Sequence, residues 1–118
     1  MATHRLEPAL SYLGTFEQLV LFSVLQLEGE AYGVSIREII EERTGRTVSI
    51  GAIYTTLGRL EERGLVRSRT EEPQGRTGRP RKYYRLSPEG ARALRESYVT
   101  IQAMAGGLTS ELNRLAGS

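Results

Sequence analysis

The sequence predicts a mainly α-helical protein with one small β-hairpin, and three features of its pattern support this. Between residues 15 and 63, three segments carry apolar residues at helical spacing and are separated by breaks that contain glycine. Two short runs of strand-forming residues, 65–70 and 81–86, flank a loop with two prolines and two glycines. From residue 87 onward, apolar residues recur at alternating intervals of three and four, which is typical of a long helix.

The composition is that of one globular domain with a helical extension. Of 118 residues, 39% are hydrophobic and 25% are charged, and no apolar run is long enough to span a bilayer. The absence of cysteine excludes disulfides and thiolate metal sites. We expect residues 1–13 to form a flexible segment without a secretion signal, and the protein to be cytoplasmic with no membrane partner.

The first two helices are predicted from apolar periodicity and capping residues. The first begins at Thr15, with Gln18 at capping-box spacing, and is apolar almost all the way round up to residue 27. We expect a partner subunit to cover part of this helix. The second helix is predicted over 34–43, with Ser35 and Glu38 at the same capping-box spacing.

The third helix is predicted from Ser49, as its cap, to about Arg63. Its buried face is defined by Ile50, Ile53, Leu57 and Leu60. The opposite face carries mainly small residues, namely Gly51, Ala52, Thr55 and Gly58, followed by Arg59. A face exposed only to water usually carries Glu, Lys and Gln. Small outward residues therefore indicate that a large partner approaches the backbone closely.

The last predicted helix opens with Ser87 as cap and Pro88 in its first turn. Its apolar seam consists of Ala91, Leu94, Tyr98, Ile101, Ala105, Leu108, Leu112 and Leu115. A continuous helix of 29 residues would extend ~43 Å, longer than a small core can cover. We expect a dimerisation helix over 87–118, interrupted or kinked at Gly106 and Gly107. A helix that folds back on its own domain is the alternative.

Positive charge is concentrated in the hairpin. Between Arg63 and Arg85 there are eight basic and two acidic residues, a net charge of +6, which leaves −4 for the rest of the chain. On charge alone, a solvated loop and a surface that contacts a polyanion are equally compatible with this pattern.

The order of elements predicts a winged helix-turn-helix domain over residues 14–86. In such domains the third helix enters the major groove and the hairpin lies against the backbone or minor groove. The candidate contacts on the third helix are Ser49, Ala52, Tyr54, Thr55 and Arg59, and those on the hairpin are Arg79, Arg81 and Lys82. For Tyr54 two interpretations remain open: a hydroxyl that reaches a phosphate, and a core tyrosine bonded to protein.

Two stretches resemble the PadR family of transcriptional regulators. They are Ser49–Val66, SIGAIYTTLGRLEERGLV, and Gly78–Gly90, GRPRKYYRLSPEG. The similarity extends over about 15–115 and includes the pair Tyr32–Gly33. It implies a homodimer that binds double-stranded DNA through the third helix and hairpin, usually as a repressor, relieved in some members by a small aromatic ligand. The glycines at 106 and 107 and the lack of tryptophan depart from the family pattern.

Dimer contacts are predicted on two elements. They are Phe16 and Leu19 on the first helix, and Leu94, Tyr98, Ile101, Leu108 and Leu112 on the last. A small apolar or aromatic effector between the subunits would be lined by Phe16, Leu19, Phe22, Tyr98 and Ile101. A fully packed dimer core is the alternative to this pocket.

The sequence does not predict an enzyme. Its one histidine, His4, lies close to the amino terminus, and its glutamate pairs are typical of solvated charge. We therefore expect no catalytic residues, no metal and no cofactor. A second class of function is a winged helix that docks an acidic protein without sensing a ligand, but the small-residue face of the third helix argues against it.

Overall fold

The computed structural model describes residues 13–72, 78 and 80–117. These residues form five helices and one antiparallel hairpin, which confirms the predicted mainly helical fold. The elements are α1 (Thr15–Leu27), α2 (Gly33–Thr44), α3 (Ile50–Glu62), β1 (Val66–Glu71), β2 (Arg81–Leu86), α4 (Pro88–Ala105) and α5 (Thr109–Ala116). No helix in this part of the chain is long and apolar enough to cross a membrane.

The core lies where α1, α2 and α3 meet the base of the hairpin. Its fully enclosed side chains include Leu21 of α1, Ile36 of α2, and Ile53 and Leu57 of α3. The protomer itself covers most of α1, because Phe16, Leu19, Phe22 and Leu27 pack partly buried against this core. Leu25 of α1 is 53% exposed and the four residues just named are only partly buried, so the cover of α1 by a partner subunit stays a prediction.

The N-caps of the first two helices differ from the predicted ones. Both predicted capping boxes, Thr15 with Gln18 and Ser35 with Glu38, are wrong. Helix α1 is capped by Gly14, whose N–H donates to Glu17 Oε1 at 2.9 Å. The N-cap of α2 is Tyr32, whose N–H donates to Ser35 Oγ at 2.9 Å. The polar side chain acts from the third helical position and reaches back, so the helix start precedes it.

Helix α3 agrees with the prediction. The Ser49 hydroxyl oxygen accepts the N–H of Ala52 at 3.0 Å and so caps the helix. The inward side is fully buried at Ile53, Leu57 and Leu60. On the outward side, a Cβ added at Gly51 or Gly58 would meet nothing within 4 Å.

The hairpin is joined to the helices by an isolated β-bridge that the sequence did not predict. Strand β1 pairs with β2 in the register Val66↔Leu86 to Glu71↔Arg81. Ala31 forms a bridge with Tyr84, whose N–H donates to the Ala31 carbonyl at 2.8 Å. This bridge fixes the hairpin beside the loop that leads into α2.

Helix α4 starts in close contact with the end of α3. The Ser87 hydroxyl accepts the Gly90 N–H at 2.9 Å and donates to the Gly64 carbonyl at 2.6 Å. The Ser87 N–H donates to the Leu65 carbonyl at 3.1 Å. A Cβ added at Gly90 would lie 1.9 Å from that carbonyl oxygen, so this position has no room for a side chain.

The carboxy-terminal helix is interrupted at Gly106 and Gly107, as the sequence predicts. Helix α4 ends at Ala105 and α5 begins at Thr109. Gly107 adopts a φ of 77°, which favours glycine, and the Leu108 N–H donates to the Ala105 carbonyl at 2.9 Å in a tight turn. Two consecutive glycines allow the chain to leave the helical conformation here at little steric cost.

Replacement of Gly90 by alanine is expected to lower the free energy of unfolding by roughly 1–3 kcal/mol or more, because the new methyl overlaps the Leu65 carbonyl. Gly58→Ala is the matched control, since its methyl enters open space and should stabilise α3 by up to ~1 kcal/mol. Chemical denaturation of both variants measures this difference. A Gly90→Ala protein as stable as the parent would contradict the packing described.

Candidate nucleic-acid interface

The outward face of α3 is open along its whole length. Ala52, Thr55, Gly58 and Arg59 are all exposed, and Ser49 is exposed at the amino end. The structure thus brings four of the predicted contact positions, Ser49, Ala52, Thr55 and Arg59, onto the exposed α3 side of the molecule. Near the middle of this face only small side chains stand between the helix backbone and an approaching partner.

Tyr54 lies at the edge of this face and is 48% exposed. Its ring packs against the start of α2, since a Cβ added at Gly33 would lie 2.4 Å from both Cζ and Oη of Tyr54. Within the described residues the Tyr54 hydroxyl has no hydrogen-bond partner. Tyr54 is therefore not buried in the core, but its ring is packed against α2 and its hydroxyl lies between α2 and α3.

The predicted hairpin residues lie on different faces. Successive residues of a strand alternate between faces, so Arg81 and Lys82 point in opposite directions. Lys82 faces α3, where its Nζ lies 3.5 Å from Glu61 Oε1, while Glu61 Oε2 accepts the Ser68 hydroxyl at 2.6 Å. The third predicted residue, Arg79, lies outside the described residues.

We call the other side of the hairpin the outer wing face. It consists of Arg67, Arg69, Glu71, Arg81, Tyr83 and Arg85. Arg67 lies directly opposite Arg85 in the register, an arrangement of like charges that destabilises a sheet unless an anion compensates it. Sequence reasoning missed all of these residues except Arg81. Period-two alternation applied to the run 81–85 would have placed Arg81, Tyr83 and Arg85 together.

Two tyrosines and two arginines stack at the junction between the outer wing face and the loop before α2. The rings of Tyr32 and Tyr83 meet edge to face, with centroids 5.6 Å apart and planes at 75°. The Arg81 guanidinium carbon lies 4.1 Å from the Tyr32 centroid, and that of Arg69 lies 4.6 Å from the Tyr83 centroid. Interaction with the Tyr83 side chain is the largest cause of a raised pKa of Arg81, and Tyr32 and Tyr54 add to it.

The pKa values of Tyr84 and Glu89 are also shifted, in each case by their immediate surroundings. Burial, and then the charge of Glu61, raise the pKa of the Tyr84 hydroxyl, so this tyrosine stays neutral well into the alkaline range. Glu89 in the first turn of α4 accepts a backbone hydrogen bond, which lowers the pKa of its carboxyl and keeps it ionised. Both groups therefore hold their ordinary charge state at neutral pH.

The predicted dimer residues fall into two sets. Leu94 is 3% exposed and belongs to the protomer core, and Phe16 and Leu19 are partly buried in it. The remaining four residues, Tyr98, Ile101, Leu108 and Leu112, are 47–62% exposed. Tyr98 also meets Phe22 edge to face, with ring centroids 5.8 Å apart. The seam is thus anchored in the protomer at one end and open along the rest.

Within residues 13–72, 78 and 80–117, no group of three or more histidine, cysteine, aspartate or glutamate side chains is placed to hold a metal ion. The charges gathered around α3 and the hairpin belong mainly to arginine. This arrangement favours binding of an anionic surface over coordination chemistry.

A helix pair, a third helix with an exposed small-residue face and a basic hairpin beside it together define a winged helix-turn-helix protein. The model of the transcriptional regulator PadR-like family matches residues 21–96. The chain therefore belongs to the PadR-like family of transcriptional regulators, as the resemblance in its sequence indicated.

Individual relatives agree with this assignment. The chain is 33% identical to the transcriptional regulator Rv3488 of Mycobacterium tuberculosis over 91 residues, which cover 77% of this chain and 81% of that protein. Among solved structures, a PadR family regulator from Eggerthella lenta superposes with a TM-score of 0.67 at 31% identity, covering 94% of this chain and 90% of that one. Bacillus subtilis PadR, solved in complex with operator DNA, shares the fold with a TM-score of 0.60 at 24% identity, over 70% of this chain and 46% of that one.

Proposed function

We propose that this protein binds double-stranded DNA sequence-specifically and acts as a homodimeric transcriptional repressor. The observation that carries this proposal is the exposed small-residue face of α3 next to an arginine-rich hairpin. Membership of a family of transcriptional regulators supports it. So does the solved complex of Bacillus subtilis PadR with operator DNA, a protein of the same fold.

In the proposed complex, α3 lies in the major groove. Gly51, Ala52 and Gly58 let its backbone come close to the base edges, since nothing larger than a methyl group stands between them. Thr55 and Arg59, which are both exposed, then reach base edges with hydrogen-bond donors. The hairpin supplies cations for the flanking phosphates, chiefly from the outer wing face.

The second candidate, a module that docks an acidic protein, uses the same cations but leaves α3 without a role. Its small-residue face would then be an unexplained loss of helix stability, because each helical glycine costs ~1 kcal/mol relative to alanine. The open space outside Gly51 and Gly58 favours DNA as the partner.

The α3 and hairpin residues should respond differently to substitution. Arg59→Ala and Thr55→Val are expected to change the preference among bases by roughly 1–3 kcal/mol at individual operator positions. Arg81→Ala should weaken binding to specific and random duplexes alike and flatten the slope of log affinity against log salt by about one unit. Lys82→Ala should flatten this slope less, because Glu61 already compensates its charge.

Fluorescence anisotropy with operator and random duplexes at several salt concentrations measures these effects. Arg95→Ala removes one positive charge from the exposed side of α4 and serves as the matched control, with no change expected. If the α3 variants weaken binding to every duplex equally, α3 contacts the DNA backbone and does not read base edges. If the protein binds no duplex but does bind an acidic protein, its function is that of the docking module and not the proposed one.

Dimerisation is supported by the open seam. Seven large apolar residues of α4, α5 and the turn between them are exposed: Tyr98, Val99, Ile101, Met104, Leu108, Leu112 and Leu115. Helix α5 has only eight residues and none of them is buried. Isolated helices shorter than ~12–15 residues are marginal in water, so α5 needs cover to be stable. We infer that a second copy provides it, because a seam on one helix can pair with its own copy across a two-fold axis.

Leu112→Glu should convert the dimer to a monomer, because it places a charge within the part of the seam that α5 contributes. Asn113→Glu introduces the same charge one position off the seam and should leave the dimer intact. Deletion of the residues after Ser97 should give monomer or aggregate. Sedimentation equilibrium measures all three proteins, and a well-folded dimer that survives the deletion would rule out this interface.

The proposal also includes a small aromatic effector that binds the dimer and lowers its affinity for DNA. Tyr98 and Phe22 form an aromatic pair next to the exposed Ile101, where the second subunit would close a cleft. Aromatic acids, phenols and planar cations, titrated against the dimer, should change its tyrosine fluorescence and lower its operator affinity together. Binding that leaves operator affinity unchanged would show a pocket without a regulatory role, and no binding would favour the fully packed core.

A further inference from the structure

The arginine–tyrosine stack joins three parts of the molecule. Tyr32 is the N-terminal cap residue of α2, Tyr83 and Arg81 come from β2, and Arg69 comes from β1. In space the order is Arg81, Tyr32, Tyr83, Arg69, with separations of 4.1, 5.6 and 4.6 Å between neighbouring groups. In this stack an arginine lies on each side of a tyrosine pair, and the Ala31–Tyr84 bridge next to it holds these residues, which are far apart in sequence, in place.

The two arginines of the stack differ in charge compensation. Glu71 lies opposite Arg81 in the strand register, yet its carboxylate pairs with Arg69. Arg69 also donates to the Gly29 carbonyl at 3.1 Å. Arg81, by contrast, has no carboxylate within ion-pair distance in the described part of the chain. The positive charge of Arg69 is therefore largely used within the protein, whereas that of Arg81 is available to a ligand.

Stacking prepares Arg81 for one kind of ligand. A guanidinium whose face rests on an aromatic ring keeps its N–H donors along the outer edge, where they match two oxygens of a phosphate or carboxylate. The ring also restricts the rotamers of a long side chain before any ligand binds, which lowers the entropic cost of binding. Lys82, the neighbouring cation, has no such arrangement toward the outer face, since Glu61 holds it on the other side.

The position of the stack points to a phosphate of the DNA backbone. Tyr32 directly precedes Gly33, and Gly33 is the residue against which the Tyr54 ring of α3 packs. The stack therefore lies where α3, α2 and the hairpin converge. In a helix-turn-helix whose recognition helix lies in the major groove, the preceding helix crosses the DNA backbone, so α2 and the stack at its start would lie near phosphates.

We propose that Tyr32 and Tyr83 are positioning residues that hold Arg81 in the orientation in which it binds a backbone phosphate of the bound duplex. This inference rests on the proposed DNA-binding function and goes beyond it, because it assigns affinity for DNA to two tyrosines that themselves need no contact with the DNA. A phosphate contact carries no information about the base sequence, so Arg81 contributes equally to the affinity for every duplex.

A double-mutant cycle tests the coupling between Tyr32 and Arg81. Tyr32→Leu keeps an apolar side chain but removes the aromatic face, and should weaken binding to a duplex by about three- to tenfold. Tyr32→Phe keeps the face and should bind like the parent. In the Arg81→Ala background, Tyr32→Leu should cause no further loss, because the arginine that it positions is gone. In the Lys82→Ala background the loss from Tyr32→Leu should persist in full.

The measurements are dissociation constants of the full chain for an operator and a random duplex at one salt concentration, with thermal unfolding of each variant to confirm folding. Tyr83→Leu, on the other side of the stack, provides a second variant should Tyr32→Leu fail to fold. If the two substitutions weaken DNA binding independently in the Tyr32→Leu/Arg81→Ala protein, so that their fold-changes in dissociation constant multiply, the inference is overturned. It is also overturned if Tyr32→Phe weakens binding as much as Tyr32→Leu does. A parent protein that binds neither duplex overturns the proposed function itself, whereas additive losses in a protein that binds DNA overturn only this inference.

Discussion

The backbone bridge between Ala31 and Tyr84 is the constraint on which the candidate interface depends. A two-stranded hairpin alone is at best marginally stable in water and has no fixed orientation relative to a neighbouring helix. The hydrogen bond of 2.8 Å from the Tyr84 N–H to the Ala31 carbonyl attaches β2 to the loop before α2. Tyr84 thereby enters the core, at 5% exposure, while Tyr32 comes alongside Tyr83. This bridge, together with the contacts of Glu61 with Ser68 and Lys82, holds α3 and the hairpin in one surface.

Elements whose signals are local in sequence could be predicted. The Ser49 cap and the spacing of Ile53, Leu57 and Leu60 defined α3 to within a residue, because a helix end and its buried stripe are decided within a few turns. The same holds for Ser87 and for both strands, whose limits shift by at most one residue. Family resemblance then joined these local elements into a topology that periodicity alone does not determine.

The caps of the first two helices were predicted wrongly, and the form of the break in the last helix was left open. In α2, Ser35 has the residue type of an N-cap, yet it acts from the third helical position and bonds back to Tyr32. A sequence pattern cannot distinguish these two uses, because both place a hydroxyl near the first turn. The glycines at 106 and 107 indicated a weak point in a long helix, but whether they kink it or end it depends on the packing that each side receives. With α5 unburied in the protomer, the helix ends.

The electrostatics of the candidate site could not be predicted from residue types. The sequence assigns equal weight to Arg81 and Lys82, which are adjacent cations on one strand. Their difference arises from tertiary contacts: Glu61 of α3 lies 3.5 Å from Lys82, and the ring of Tyr32 lies 4.1 Å from Arg81. One cation links the hairpin to α3, and the other is held on the outer wing face. The positive charge of the hairpin thus includes one cation that is paired with a carboxylate and one that stacks on an aromatic ring.

Helix α4 connects this surface to the proposed dimer seam. Its first turn is fixed to the hairpin base, because Gly90 abuts the Leu65 carbonyl and Ser87 bonds to Gly64. Its middle is held against α1 by the contact between Phe22 and Tyr98. In the proposed dimer, a change in the angle between subunits would therefore move α4, the hairpin and α3 together. Half-sites of a dimeric reader lie ~34–36 Å apart along the DNA, so even a small rotation at the proposed seam would misalign the two α3 helices with their grooves. In the proposed dimer, a ligand that prefers a different subunit angle would lower DNA affinity without contacting the DNA.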